Sequence, residues 1–222
     1  MKNPFNFNHL NMLLCSVFLL TNLQTCAQSG GSSGDSNLDE RVKKFLSDHR
    51  NDWHNLNVPY QDGKVLYDII IKNHYTSALE IGTSTGHSSI WIAWALSKTG
   101  GKLTTIEIDK GRHDKALENI KEAGLSDYVD ARLADAHELV PQLKGPFDFV
   151  FSDADKEWYT NYFKAVDPNL KPGGCFTAHN VLNGYYGTKE FVDYVESLPE
   201  YSTAIDHSSS SGISISYKKP NK

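Results

Sequence analysis

The chain has 222 residues, 39% hydrophobic and 22% charged, which suits one α/β domain with a sizeable core. Its formal net charge is -5 and no basic block is present, which argues against nucleic acid as a partner. No internal repeat of solenoid period is present. At the amino end, Lys2 precedes an apolar run over 12–20 that is too short to span a bilayer, the pattern of a secretory signal. Two processing readings stand side by side. Thr25-Cys26-Ala27 offers small residues for cleavage before Gln28. Leu23-Gln24-Thr25-Cys26 also resembles a loose lipobox, and a lipid on Cys26 would then be the one attachment to a membrane. Residues 1–27 are therefore read as a leader, 28–37 as a Ser/Gly-rich linker, and 38–220 as the domain. A working leader implies an exported protein, periplasmic, secreted or lipid-anchored; without one the domain is cytoplasmic. Once the leader is gone, Cys175 is the only core cysteine, so no intramolecular disulfide can form.

Beyond that leader, residues 37–55 predict a first helix, with Val42, Phe45 and Leu46 at i, i+3, i+4 spacing. Val58-Pro59-Tyr60 breaks it, and 62–73 predict a second helix striped by Val65, Leu66, Ile69 and Ile70. A short buried strand, 78–81, leads through a glycine turn into an apolar helix over 88–96. A strand over 103–108, a charged helix over 109–123 and a strand over 129–133 follow. Next come a short helix at 136–143, a strand at 147–151 and a helix at 157–166. A long turn over 168–173 precedes a strand at 174–178 and a helix at 189–198. Residues 203–207 and 213–217 alternate around a Ser/Gly turn as an antiparallel hairpin. The sum is an α/β fold: a Rossmann-like, doubly wound, mostly parallel sheet with an antiparallel C-terminal hairpin and helices on both faces.

The stretch 77–89, SALEIGTSTGHSS, is the strand, glycine turn and helix that cradle nucleotides in such sheets. Its glycines are spaced G-x-x-x-G, so the dinucleotide fingerprint fails. Glu80 at the strand end would repel a pyrophosphate and welcome a cation. S-adenosylmethionine carries a sulfonium and an ammonium beside an adenosine, and its carboxylate could take the free amides of the helix start. Glu107 ends the next strand, where a carboxylate can accept both ribose hydroxyls. Asp135, Asp153, Lys156, His179 and Asn180 also lie at or just past predicted strand ends. Taken singly, each has a plain alternative: Asp153 as a helix cap, Lys156 as a solvated lysine, Asn180 as a turn residue.

With its motifs LEIGTSTGHSS, TIEID, LADA, FDFVFSDADKEWY, LKPGG, HNVLNG and SGISISYKK in this order, the domain resembles the small S-adenosylmethionine-dependent O-methyltransferases of the catechol and caffeoyl-coenzyme A type. The resemblance implies that Glu80, Gly82, Ser84 and Ser88 surround the methionyl half of the cofactor, with Val58 nearby. It implies Glu107 on the ribose, and Asp135 and Ala136 against the adenine. Asp153 and Asn180 match metal ligands, and Lys156 matches the lysine that takes the proton of the acceptor hydroxyl. The acceptor implied is a small hydroxylated aromatic, and a homodimer through the first helices is implied as well. A phenol ionises only near pH ~10, so a cation or a basic lysine beside it has a clear purpose.

One position departs from the pattern. The family usually has aspartate before the asparagine, and here it is His179. An imidazole in that place weakens a magnesium site and suits manganese or zinc. The alternative is that no metal binds and His179 acts by hydrogen bonding or proton transfer. Two other functions stand beside methyl transfer: a silent, envelope-located binding module that kept the fold, and an NAD-type oxidoreductase. The G-x-x-x-G spacing and Glu80 disfavour the second.

Overall fold

The computed structural model describes residues 33–54 and 56–220. The leader, Cys26 and the first part of the expected linker lie outside them. Among the described residues no helix is long and apolar enough to cross a membrane. Helix α1, Ser33–Asp48, starts within the stretch read as linker and stops earlier than expected. The chain turns after Asp48, and Trp53 then stacks on His87 with ring centroids 4.4 Å apart. Helix α2 is Tyr60–Asn73 and is followed by β1, Ser77–Ile81, and α3, His87–Thr99. Strand β2 is Lys102–Glu107, α4 is Lys110–Ala123, β3 is Val129–Leu133 and the single turn α5 is Ala136–Leu139. Strand β4, Phe147–Ser152, is buried along its whole length and leads to α6, Tyr159–Val166. Strand β5, Leu170–His179, then α7, Thr188–Glu196, β6, Tyr201–Asp206, and β7, Ile213–Lys218, complete the domain.

The sheet has the order β3-β2-β1-β4-β5-β7-β6. Strands β1 to β5 run parallel, and β7 is antiparallel to both β5 and β6. The expected doubly wound, mostly parallel sheet with its hairpin is thus present. One turn is not: residues 170–173 continue β5, and the pairing with β4 shifts register between Phe147 and Phe149. The glycines and proline there mark that irregularity rather than the end of the strand.

Apolar side chains on both sheet faces explain the layers. On one face Leu66 and Ile70 of α2 and Ile92 and Leu96 of α3 pack on Ala78, Phe149 and Cys175. On the other, Phe163 of α6 and Phe191 and Val195 of α7 pack on Leu79, Val150 and Phe176. Strand order reverses between β1 and β4, and ligands of such sheets sit outside the strand ends at that point.

Candidate active site

Gly82 leaves β1 with φ of 103°, and a Cβ there would stand 2.9 Å from the Ala154 amide nitrogen. Only glycine lets the turn after β1 lie so close against the loop after β4. Ser84 follows at φ 48° and turns its amide toward β2. The Ser84 amide donates to Glu107 Oε2 at 2.8 Å. The other oxygen, Oε1, accepts from the Asp109 amide at 2.9 Å and from Arg112 Nη2 at 2.7 Å. Asp135 caps α5 by accepting from the His137 amide at 2.8 Å. Gly82, Ser84, Glu107, Arg112, Asp135, His137 and Ala154 line a cavity of about 280 Å³ that also touches Ala136, Asp153, Lys156 and Tyr162. His137 stacks on Trp158 at 4.0 Å along one side of it.

A second cavity, about 460 Å³, lies over β4 and β5 and is lined by Pro59, Lys156, His179, Asn180, Tyr185 and Ser211. The two cavities share Leu56, Asp153, Ala154 and Lys156. Lys156 Nζ donates to Asp153 Oδ1 at 2.6 Å and to the Asp153 carbonyl at 2.8 Å. Burial would raise the Asp153 carboxyl, but His179 and then Lys156 outweigh it and hold it below the ordinary carboxylate value. Burial disfavours a charged ring at His179, yet Asp153 and Asp62 outweigh burial and push it up to about 9. A proton is therefore favoured at this ring.

Of the expected cofactor set, Gly82, Ser84, Glu107, Asp135 and Ala136 meet in the first cavity. Val58, Glu80 and Ser88 are among the buried residues and are not on its wall. Glu80 is an interior carboxylate: its Oε2 accepts from the hydroxyls of Ser89 and Thr105, the latter at 2.6 Å. Its other oxygen, Oε1, is buried without a hydrogen-bond partner. Val58 acts through its backbone, whose carbonyl holds His87 Nδ1 at 2.8 Å.

The expected metal set is looser than a cage. Among the described residues no group of three or more His, Cys, Asp or Glu side chains could hold an ion. Asp153 and His179 form a pair, their Oδ1 and Nδ1 atoms 3.3 Å apart, and Asn180 lines the same cavity. His179 Nδ1 is buried without a hydrogen-bond partner. An orphaned ring nitrogen beside a carboxylate oxygen suits a shared cation, so the donor set fits one. Sequence reasoning missed Leu56, Asn57 and Pro59, which wall the second cavity, and also Arg112 and Asp62. Only the break at Pro59 pointed toward that loop.

A family model described as O-methyltransferase matches residues 30–193. The chain is similar to the catechol O-methyltransferase of Niastella koreensis, 39% identical over 131 residues, 57% of this chain and 59% of that one. It is similar to caffeoyl-CoA O-methyltransferase 1 of Eucalyptus globulus, 32% identical over 135 residues, 59% of this chain and 54% of that one. The matched stretch thus spans less than two thirds of the length of these curated relatives. Among solved structures it resembles the O-methyltransferase from Bacillus cereus in complex with SAH, at 27% identity and a TM-score of 0.67 over 83% of this chain and 91% of that one. It resembles equally the O-methyltransferase TomG from Streptomyces achromogenes in complex with SAM, at 27% and 0.67 over 82% and 90%. Motifs, strand order and matched length agree, and the chain belongs to the O-methyltransferase family.

Proposed function

We propose that this protein transfers a methyl group from S-adenosylmethionine to a hydroxyl of a small aromatic, catechol-like acceptor. The observation that carries the reading is the pair of cavities that share Lys156 and Asp153. The first has the parts for the methyl donor: the Ser84 turn for its methionyl end, Glu107 for the ribose diol, and the Asp135–His137 corner for the adenine. The solved relatives that hold SAM or SAH support that assignment. The second, walled by Leu56, Pro59 and Tyr185, has room and apolar surface for one aromatic ring.

Transfer is an in-line displacement, so most of the work is positioning. The acceptor oxygen attacks the methyl carbon, an O–C bond forms and the S–C bond breaks. The hydroxyl proton goes to Lys156 Nζ, which must be a free amine as the oxygen ionises, and Asp153 then holds the ammonium through the contact already present. A divalent cation held by Asp153, His179 and Asn180 would supply positive charge that makes the phenol more acidic. Gly82 keeps the donor's turn against the acceptor's loop, which sets the approach distance.

Incubation with labelled S-adenosylmethionine and a panel of catechols, with and without divalent ions, tests the reading. Label in a phenolic ether supports it. No thermal shift with S-adenosylmethionine or its demethylated product would instead favour a silent binding module.

A further inference from the structure

His179 occupies the strand-end position where a family member would have aspartate, and the structure shows what its ring is attached to. Nε2 lies 2.7 Å from Oδ2 of Asp62, a residue of α2 that is 117 positions away in the chain. Asp62 has no measurable exposure. The same oxygen accepts a hydrogen bond from Ser209 Oγ at 2.8 Å, in the loop between β6 and β7. An oxygen that accepts from a serine accepts from the ring as well, so Nε2 carries the N–H. The ring nitrogen left to meet a cation, once it gives up its proton, is then Nδ1, which is buried and faces Asp153 Oδ1 at 3.3 Å.

Two donor atoms so placed repel each other unless a positive charge sits between or beside them. Adjacent corners of an octahedron with bonds of about 2.1–2.3 Å stand about 3 Å apart, close to this spacing. Lys156 Nζ already rests 2.6 Å from the same Asp153 oxygen, which marks the spot as one that draws cations. A carboxylate that holds the far N–H of a metal-ligating histidine fixes both its tautomer and its aim. Asp62 has that position here, and Ser209 steadies it from the hairpin loop.

We infer that Asp62 is a positioning residue that turns His179 Nδ1 toward Asp153, and that the cation site so formed selects a first-row transition ion, manganese or zinc, over magnesium. Magnesium asks for hard oxygen ligands, and this site replaces one carboxylate by an imidazole nitrogen. The inference deepens the methyl-transfer reading and rests on it only for the use made of the ion.

Calorimetric titration of the full chain, stripped by chelator, with manganese, zinc and magnesium chlorides needs no turnover. It is expected to show one site that takes manganese or zinc at least about tenfold more tightly than magnesium. Asp62→Asn should weaken that binding by about ten- to a hundredfold. His179→Asp should shift the preference back to magnesium and remove the dependence on Asp62. No binding by wild type, magnesium bound as tightly as the others, or an Asp62→Asn variant of native far-UV spectrum with unchanged affinity would overturn the inference. Where Asp62→Asn does not fold, His179→Asp decides: a preserved transition-ion preference overturns the inference, and a reversed one upholds it. A protein that binds the ions in this order but methylates no phenol refutes the proposed reaction and leaves the site standing.

Discussion

The amide of Ser84, on the turn after β1, donates to the carboxylate of Glu107 at the end of β2 across 2.8 Å. That bond joins the two strand ends that would hold opposite halves of the methyl donor. Arg112 clamps the other carboxylate oxygen through both Nε and Nη2, at 3.0 and 2.7 Å. Glu107 is therefore fixed before any cofactor arrives. On the proposed reading, replacing it by alanine removes the acceptors for the ribose diol, and it frees the Ser84 turn from its acceptor as well. Hydrogen bonds to a charged acceptor contribute about 1.5–3 kcal/mol each, so Glu107→Ala should weaken S-adenosylmethionine binding by about a hundredfold or more. Equilibrium titration with the cofactor measures it. Affinity within a few-fold of wild type would remove Glu107 from the ribose site.

Lys156 stands where the two cavities meet, and the proposed reaction gives it a chemical rather than an adhesive role. Lys156→Met keeps the length of the chain and loses the amine. The variant should bind S-adenosylmethionine as wild type does, while turnover falls by about 10²–10⁴-fold, the usual range for a positioned base. The split between unchanged cofactor affinity and lost kcat separates a base from a structural lysine. Unchanged turnover would mean that another group takes the proton.

The strand-end residues were legible because identity and spacing are local properties. A carboxylate, amide or lysine at the end of a strand pattern can be read one segment at a time. Glu80 reads from the sequence as a strand-end carboxylate, but its donors Ser89 and Thr105 come from α3 and β2, and only the fold brings them to it. Asp62 carried no signal at all. An aspartate in the first turn of a helix reads as a partner of the helix dipole, and its partner here is His179 at the end of β5, 117 positions away. Arg112 likewise reads as one more surface charge on an amphipathic helix until its contact with Glu107 is seen. The first half of β5 was hidden by Pro172, Gly173 and Gly174, which mark turns far more often than an irregular strand.

Gly63 carries a constraint that reaches the cofactor loop. A Cβ at this position of α2 would overlap the Trp91 ring of α3. Trp91 Nε1 donates to His87 Nε2 at 3.2 Å, and His87 Nδ1 donates to the Val58 carbonyl at 2.8 Å. Burial lowers His87 to about 4, so the ring stays neutral and serves as donor on one side and acceptor on the other. Gly63→Ala should cost about 1–3 kcal/mol of stability, the range for an overpacked core. It should also weaken cofactor binding, because the displaced indole pulls on the His87–Val58 link. Urea unfolding and cofactor titration check the two effects, and a variant as stable as wild type would show that the helices part without strain.

Glu80 predicts how stability varies with pH. Burial raises its carboxyl to about 7, against hydrogen bonds from Ser88, Ser89 and Thr105 that favour the charged form. In the unfolded chain a glutamate loses its proton near pH ~4.3, while the folded protein keeps it until about 7. Between those values the unfolded state binds fewer protons than the native state, so stability falls as pH rises, and above about 7 the loss is complete and constant. Below the lower value both states are protonated and no loss appears. Glu80→Gln cannot ionise and removes this slope. The difference in unfolding free energy between variant and wild type should therefore move in the variant's favour by up to about 3 kcal/mol from pH 4.5 to 8, whatever constant offset the amide brings. Denaturant melts of both proteins across that range measure it. A difference that stays flat from acid to neutral pH would mean that Glu80 ionises in the folded protein as it does in water.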